Sequence, residues 1–208
     1  MLSADKFAVK EQVKFLKNHK TYDIFDPDTK EQIGTAEENI GGLVKMLRWV
    51  IDAKFMGTKV EIREFPDKAL VFSIRRGPYF FRSRVEVLDS NGDLVGYFKS
   101  KLFSFSGGFH VYDKNDKHFA DVKGNFTGFK YRVLTPDHKV ELGKVSKEWG
   151  GLVKELFTSA DSYLVDIADD LKEQPIAKML VLATCLATDM IFKSEQKGGV
   201  GLGDMGGD

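Results

Sequence analysis

The stretch Pro175-Ile-Ala-Lys-Met-Leu-Val-Leu-Ala-Thr-Cys-Leu-Ala-Thr-Asp-Met-Ile-Phe192 decides the fold. Pro175 suits the first turn of a helix, and Met179 to Ala187 is apolar on every side, so this helix must be enclosed by protein or by lipid. The residues from Ile176 to Phe192 rise about 26 Å as a helix, short of the roughly 30 Å of bilayer hydrocarbon. They also include Lys178 and Asp189. An aspartate costs up to about 3.5 kcal/mol at the centre of an inserted helix and less near its end. The run is therefore expected to be a core helix, with Asp189 hydrogen-bonded to whatever surrounds it.

What surrounds it reads as strands. Lys59-Val-Glu-Ile-Arg-Glu64, Ala69-Leu-Val-Phe-Ser-Ile74 and Arg84-Val-Glu-Val-Leu88 alternate in part with period two and are rich in β-branched residues. Between such runs lie Asp26-Pro27-Asp28, Arg76-Gly77-Pro78, Ser90-Asn91-Gly92-Asp93, Lys114-Asn115-Asp116-Lys117 and Thr135-Pro136-Asp137. Each fixes φ or tolerates positive φ, as tight hairpins require. A repeat runs beneath this pattern. Ile24-Phe25-Asp26 leads to Ile33-Gly34, Val87-Leu88-Asp89 to Leu94-Val95-Gly96, Val111-Tyr112-Asp113 to Phe119-Ala120, and Val133-Leu134-Thr135 to Leu142-Gly143. One hairpin per unit implies an all-β barrel or sandwich, with the small closing residue placed where strands approach closely. Leu43, Met46, Leu47, Val50 and Ile51 add a short amphipathic helix over Gly42 to Asp52. The segment from Phe7 to Leu16 is too irregular to separate helix from strand.

The chain has 208 residues, with Lys+Arg 31 against Asp+Glu 31, 42% hydrophobic and 30% charged residues. These values describe one soluble globular domain, expected over residues 1–197, with a flexible glycine-rich tail over 198–208. Zero net charge excludes a global attraction to nucleic acid, so an anionic partner must be met by a local patch. Met1 to Lys20 has no apolar stretch of signal-peptide length, and Cys185 stands alone, so a reducing, cytoplasmic setting is expected.

Gly143-Lys-Val-Ser-Lys-Glu-Trp149-Gly-Gly-Leu-Val-Lys-Glu-Leu-Phe-Thr-Ser-Ala-Asp161, followed by the apolar helix with Cys185-Leu-Ala-Thr-Asp189 and Phe192, resembles the C-terminal part of the phospholipid scramblases. The resemblance extends over Tyr22 to Glu195 and takes in the plant LURP-one-related proteins and the tubby C-terminal domain. It implies a mainly β (α+β) fold: a closed antiparallel barrel of about twelve strands around a central hydrophobic C-terminal helix. The chain also departs from the family. The lipidated cysteine cluster and proline-rich region of animal scramblases have no counterpart here. The family's aspartate-rich calcium segment corresponds to Ser159 to Asp170, where Asp161 and Asp170 match as metal candidates but Ser159 stands in place of the first acid. Leu164 sits where the sharp turn needs glycine, so a calcium cofactor is not expected.

Arg75, Arg76, Arg82 and Arg84 flank Gly77-Pro78-Tyr79-Phe80-Phe81 and are the candidate lipid-binding residues, because guanidinium forks match phosphate oxygens. With alternation, Arg82 and Arg84 share a face with Phe80 and Glu86. Trp49, Lys45, Arg48, Lys54 and Phe55 form a second candidate patch. His19, His110, His118 and His138 lack zinc-ligand spacing and can meet only through the fold. No nucleophile motif or phosphate loop accompanies them, so no enzymatic centre is expected. The expected function is that of a monomeric, peripheral barrel meeting anionic membrane phospholipid and influencing lipid distribution. The alternative is a soluble scaffold for a protein partner. Nucleic acid is not an expected partner.

Overall fold

The computed structural model describes residues 1–12, 21–39, 57–77, 84–100, 108–125, 130–147 and 162–198. The hairpins of the repeat are built alike. Asp26 Oδ1 accepts from the backbone N–H groups of Asp28 and Thr29 at 2.8 and 3.2 Å. Asp89 does the same for Asn91 and Asp93, and Asp113 for Asn115 and Lys117. A carboxylate that captures donors two to four residues ahead folds the chain back on itself. One residue of each turn then enters the left-handed region: Lys30, Lys68, Gly92, Asp116 and His138.

These turns connect β2 (Thr21–Phe25) to β3 (Gln32–Glu38), β4 (Thr58–Glu64) to β5 (Leu70–Arg76) and β6 (Arg84–Asp89) to β7 (Leu94–Ser100). They also connect β8 (Phe109–Asp113) to β9 (His118–Asn125) and β10 (Lys130–Leu134) to β11 (Glu141–Ser146). Two strands complete the sheet, β1 (Lys6–Glu11) and β12 (Ser162–Ile167). All pairings are antiparallel between sequence neighbours, and β1 pairs with β12, so the barrel closes without an edge. The segment whose sequence left helix and strand open thus supplies the closing strand. Its irregular pattern has a physical cause, since Phe7, Ala8 and Val9 are all fully buried and no polar residue marks an outer face there.

Each repeat carries a register slip at the same place. Gly34 pairs with Ile24, Gly96 with Val87, Ala120 with Val111 and Gly143 with Val133, and the register shifts immediately after each pair. Such bulges sharpen the local twist and help a sheet curl into a closed wall. Barrel diameter grows with strand number. Eight strands enclose little more than side chains, and twelve leave room for a helix. That helix is α1 (Pro175–Gly198), joined to β12 through a 3-10 turn over Asp169–Leu171.

Leu180, Val181, Leu182, Ala183, Cys185, Leu186 and Ala187 of α1 are buried, as expected of an enclosed helix. Its buried polar residues are satisfied internally, among those described. The Thr184 and Thr188 hydroxyls donate to the carbonyls of Leu180 and Thr184, and the Tyr131 hydroxyl donates to the Thr184 carbonyl at 3.4 Å. Lys178, 2% exposed, donates to the Leu2 and Ala4 carbonyls and to Asp5 Oδ1 at 3.0, 3.2 and 2.8 Å. Among the described residues no helix is long and apolar enough to cross a membrane. The Asp189 side chain, the 42–52 helix and residues beyond 198 lie outside what is described.

At two of the small residues of the repeat, Gly143 and Gly96, the helix presses against the wall. A Cβ on Gly143 would stand 2.8 Å from Val181 Cγ1 and 2.9 Å from the Asp166 carbonyl. A Cβ on Gly96 would stand 2.4 Å from the Tyr112 carbonyl and 3.0 Å from Leu180 Cδ2. Gly143→Ala is expected to cost about 1–3 kcal/mol through overpacking, read as a lower urea midpoint. Gly77→Ala, where nothing lies within 4 Å, is expected to leave the midpoint unchanged. Equal midpoints for the two variants would refute this account of the repeat.

Candidate functional site

The antiparallel register sets outward side chains in rows around the wall. Lys59 pairs with Arg75, Arg75 with Glu86, Glu86 with Tyr97, Tyr97 with Tyr112, and Tyr112 with His118. A second row, adjacent along the strands, runs from Arg84 through Lys99 and His110 to Asp121. Directly paired residues share a face, so both rows lie outside the barrel.

Glu86 organises the arginines. Its Oε2 accepts from Arg75 Nη2 at 2.6 Å and Nε at 3.0 Å, and Oε1 lies 3.4 Å from Arg84 Nε. The Arg84 guanidinium also lies over the Tyr97 ring, 3.8 Å from its centroid. Tyr97 stacks on Tyr112 with centroids 5.0 Å apart, and its hydroxyl donates to Asp116 at 2.8 Å. Burial, and then that bond to Asp116, raise the Tyr97 hydroxyl above its ordinary pKa, so it stays protonated and donating. Arg75 and Arg84 remain 57% and 42% exposed despite these contacts. One carboxylate aligns two guanidinium groups and cannot neutralise both.

On neighbouring β4, Glu61 accepts from Lys59 at 2.9 Å, Arg63 at 2.7 Å and Asn39 at 3.1 Å. Burial would raise its pKa, but the donors from Lys59, Arg63 and Asn39 outweigh burial and bring it down to about 2. The outer face of β4 to β7 therefore carries Lys59, Arg63, Arg75, Arg84 and Lys99 against Glu61 and Glu86, an excess of positive charge among the described residues.

The structure divides the four arginines of the sequence reading. Arg75 and Arg84 share the outer face with Glu86. Arg76 pairs with the inward-facing Val85, because consecutive residues of a strand alternate faces, and it is half-buried at the barrel end. Arg82, like Phe80, lies outside the described residues. So do Ser159, Asp161 and the patch around Trp49. Of the Ser159 to Asp170 run, residues 162–167 form β12, hydrogen-bonded to strands on both sides, so they do not wrap as a loop. Asp166 pairs with Lys144 at 3.1 Å and Asp169 with Lys172 at 3.0 Å, while Asp170 is exposed in the 3-10 turn.

Sequence reasoning missed one cluster. His110 Nδ1 and His118 Nε2 lie 2.6 and 3.2 Å from Asp121 Oδ1, and His138 Nε2 lies 2.6 Å from Asp121 Oδ2. The turn at Lys114–Lys117 alone would set His110 opposite Ala120, and the bulge after Val111 is what brings Asp121 there. The approach of His138 from the next hairpin carried no local signal.

The Scramblase family model matches residues 66–195. Human phospholipid scramblase family member 5 is 26% identical over 118 residues, which cover 54% of this chain and 43% of that protein. Bovine phospholipid scramblase 2 is 35% identical over 68 residues, 33% of this chain and 22% of that protein. The chain thus spans less than half the length of these two relatives. An Arabidopsis thaliana protein of known crystal structure superposes with a TM-score of 0.52 at 12% identity, covering 88% of this chain and 93% of that one. That likeness concerns the fold alone and agrees with a tubby-like barrel. The matched region runs from the Phe65-Pro66 turn through the hairpin repeats to the enclosed helix, and on that ground this chain belongs to the Scramblase family.

Proposed function

We propose that the barrel binds anionic phospholipid headgroups at a membrane surface through Arg75 and Arg84, with Arg76 and Arg82 as their sequence neighbours in the same role, and so influences lipid distribution. The observation that carries this reading is the outer face of β4 to β7, where two exposed guanidinium groups are pre-aligned by Glu86 within an excess of cations. Forked donors held in one orientation lose little entropy when they take a phosphate. The contact is peripheral in this reading. A spanning barrel needs an apolar outer band, and these strands turn charge outward. The buried residues of α1 occupy the barrel interior, so transbilayer movement is not assigned to the barrel alone. Calcium has no part in the proposal, since Asp166 and Asp169 are engaged by lysines.

Sedimentation of the full chain with vesicles of phosphatidylcholine, with and without phosphatidylserine, tests it. Binding is expected only with the anionic lipid and unchanged by a calcium chelator. Each basic residue near an anionic surface contributes about 1 kcal/mol, so Arg75→Ala/Arg84→Ala is expected to weaken binding by roughly thirtyfold and to flatten its salt dependence. Stability should shift little, because exposed substitutions usually change it by about 0.5 kcal/mol or less. Unchanged binding by the folded variant would remove these arginines from the site. No binding by the wild type would favour the protein-interaction scaffold.

A further inference from the structure

The geometry points to a divalent transition-metal site on the outer face of β8 and β9, with His110 Nδ1, His118 Nε2 and Asp121 Oδ1 as its ligands. These atoms lie within 4.8 Å of one another, each from a different residue. The two imidazole nitrogens are 3.3 Å apart, and His118 Nε2 is 3.2 Å from Asp121 Oδ1. Metal–ligand bonds of about 2.0–2.1 Å in a tetrahedron set ligand-to-ligand edges of roughly 3.3 Å. Two edges of the triangle already have that length. The third, His110 Nδ1 to Asp121 Oδ1 at 2.6 Å, is a hydrogen bond that lengthens when a metal takes the place of its proton.

The surroundings fix the role of His138. His138 Nδ1 lies 3.2 Å from Lys123 Nζ, and an ammonium can only donate, so Nδ1 accepts and Nε2 carries the hydrogen given to Asp121 Oδ2. His138 is thus a positioning residue that holds the carboxylate from behind and leaves Oδ1 for the ion. His110 Nδ1 lies 2.6 Å from that one oxygen, and His118 Nε2 lies 3.2 Å from it and 3.1 Å from the Ala120 carbonyl. To take a cation beside Oδ1, both rings carry their proton on the opposite nitrogen, His110 on Nε2 and His118 on Nδ1. The carboxylate is only 5% exposed, whereas His110 and His118 are each 32% exposed, so an ion can enter from solvent and a water can complete the coordination. Two imidazoles and one carboxylate suit zinc, cobalt or nickel; calcium and magnesium call for oxygen ligands throughout.

The bulge and the turn make this cluster. The register slip between Val111 and Tyr112 puts His118 opposite Tyr112 while Asp121 stays opposite His110, so residues of opposite parity on β9 share the outer face. The left-handed backbone of His138, φ 60°, brings the third imidazole in from the β10–β11 turn. The site stands independently of the lipid reading.

Untagged, chelator-stripped protein titrated with Zn²⁺ in competition with a chromophoric chelator is expected to bind one equivalent. The Co²⁺ adduct should show the visible bands of four- or five-coordinate cobalt. His110→Gln and His118→Gln are each expected to weaken binding at least tenfold, and His138→Ala by about tenfold with stoichiometry retained. Circular dichroism monitors the fold. Should a variant not fold, imidazole ¹⁵N spectra of the wild type decide, since Zn²⁺ is expected to shift His110 Nδ1 and His118 Nε2. A wild type that takes up no Zn²⁺, or whose binding survives both glutamine substitutions, would reduce the cluster to a hydrogen-bonded network and overturn the proposal.

Discussion

Leu182→Asp is expected to leave no folded barrel. Leu182 is fully buried on α1 at the centre of the core cluster. The substitution removes about 2–3 kcal/mol of apolar burial and places a carboxyl group inside the hydrophobic core cluster. An unpaired buried charge costs several kcal/mol more, which together matches the whole stability of an ordinary domain. The expected result is loss of the cooperative unfolding transition and of the compact elution volume, whereas Leu182→Met keeps both at a cost under about 1.5 kcal/mol. A folded, monodisperse Leu182→Asp protein would show that α1 is not the core of the barrel.

The second large effect concerns the ammonium group at the end of that core. Lys178 is buried, and its three donors are all used by the Leu2 and Ala4 carbonyls and by Asp5. Asp5→Ala leaves a buried cation without its counter-charge and is expected to cost about 3–5 kcal/mol. Asp5→Ala/Lys178→Met is expected to recover most of that loss, because a methionine fills the space of the lysine stem without a charge. Denaturant midpoints of the wild type and both variants test the pair, and equal losses in the single and double variants would show that the charge is not what matters.

The same pair gives stability a pH dependence. The hydrogen bond from Lys178, aided by the charges of Lys178 and Lys172, lowers the pKa of Asp5 below its ordinary value. Its contribution is therefore fully present above the ordinary carboxylate value and is lost as pH falls through the depressed folded value. Glu61, held down to about 2, acts with the same sign over a window from about 4.5 to about 2. Both effects fall in strong acid. The midpoint of Asp5→Ala should accordingly respond less to acidification than that of the wild type.

What the sequence determined by itself is what short-range chemistry controls. Asp26, Asp89 and Asp113 announce their turns because a carboxylate reaches backbone donors a few residues ahead. The spacing from Val87 to Gly96 or from Val133 to Gly143 announces a bulged hairpin, because the small residue must sit where strand and helix meet. An all-round apolar run announces an enclosed helix, because no face of it can be left in water. Tertiary structure decided the rest. Closure by β1 was hidden because burial of Phe7, Ala8 and Val9 erases the alternation that marks a strand. Arg75 and Arg76 differ by one residue, yet only the wall of the barrel assigns them to opposite faces. His138 reaches Asp121 from 17 residues away because two hairpins lie side by side, and three imidazoles converge on one carboxylate only after register, bulge and left-handed turn have acted together. Local side-chain chemistry is written in consecutive residues, whereas a site assembled across strands depends on the register between them, which the closed barrel fixes.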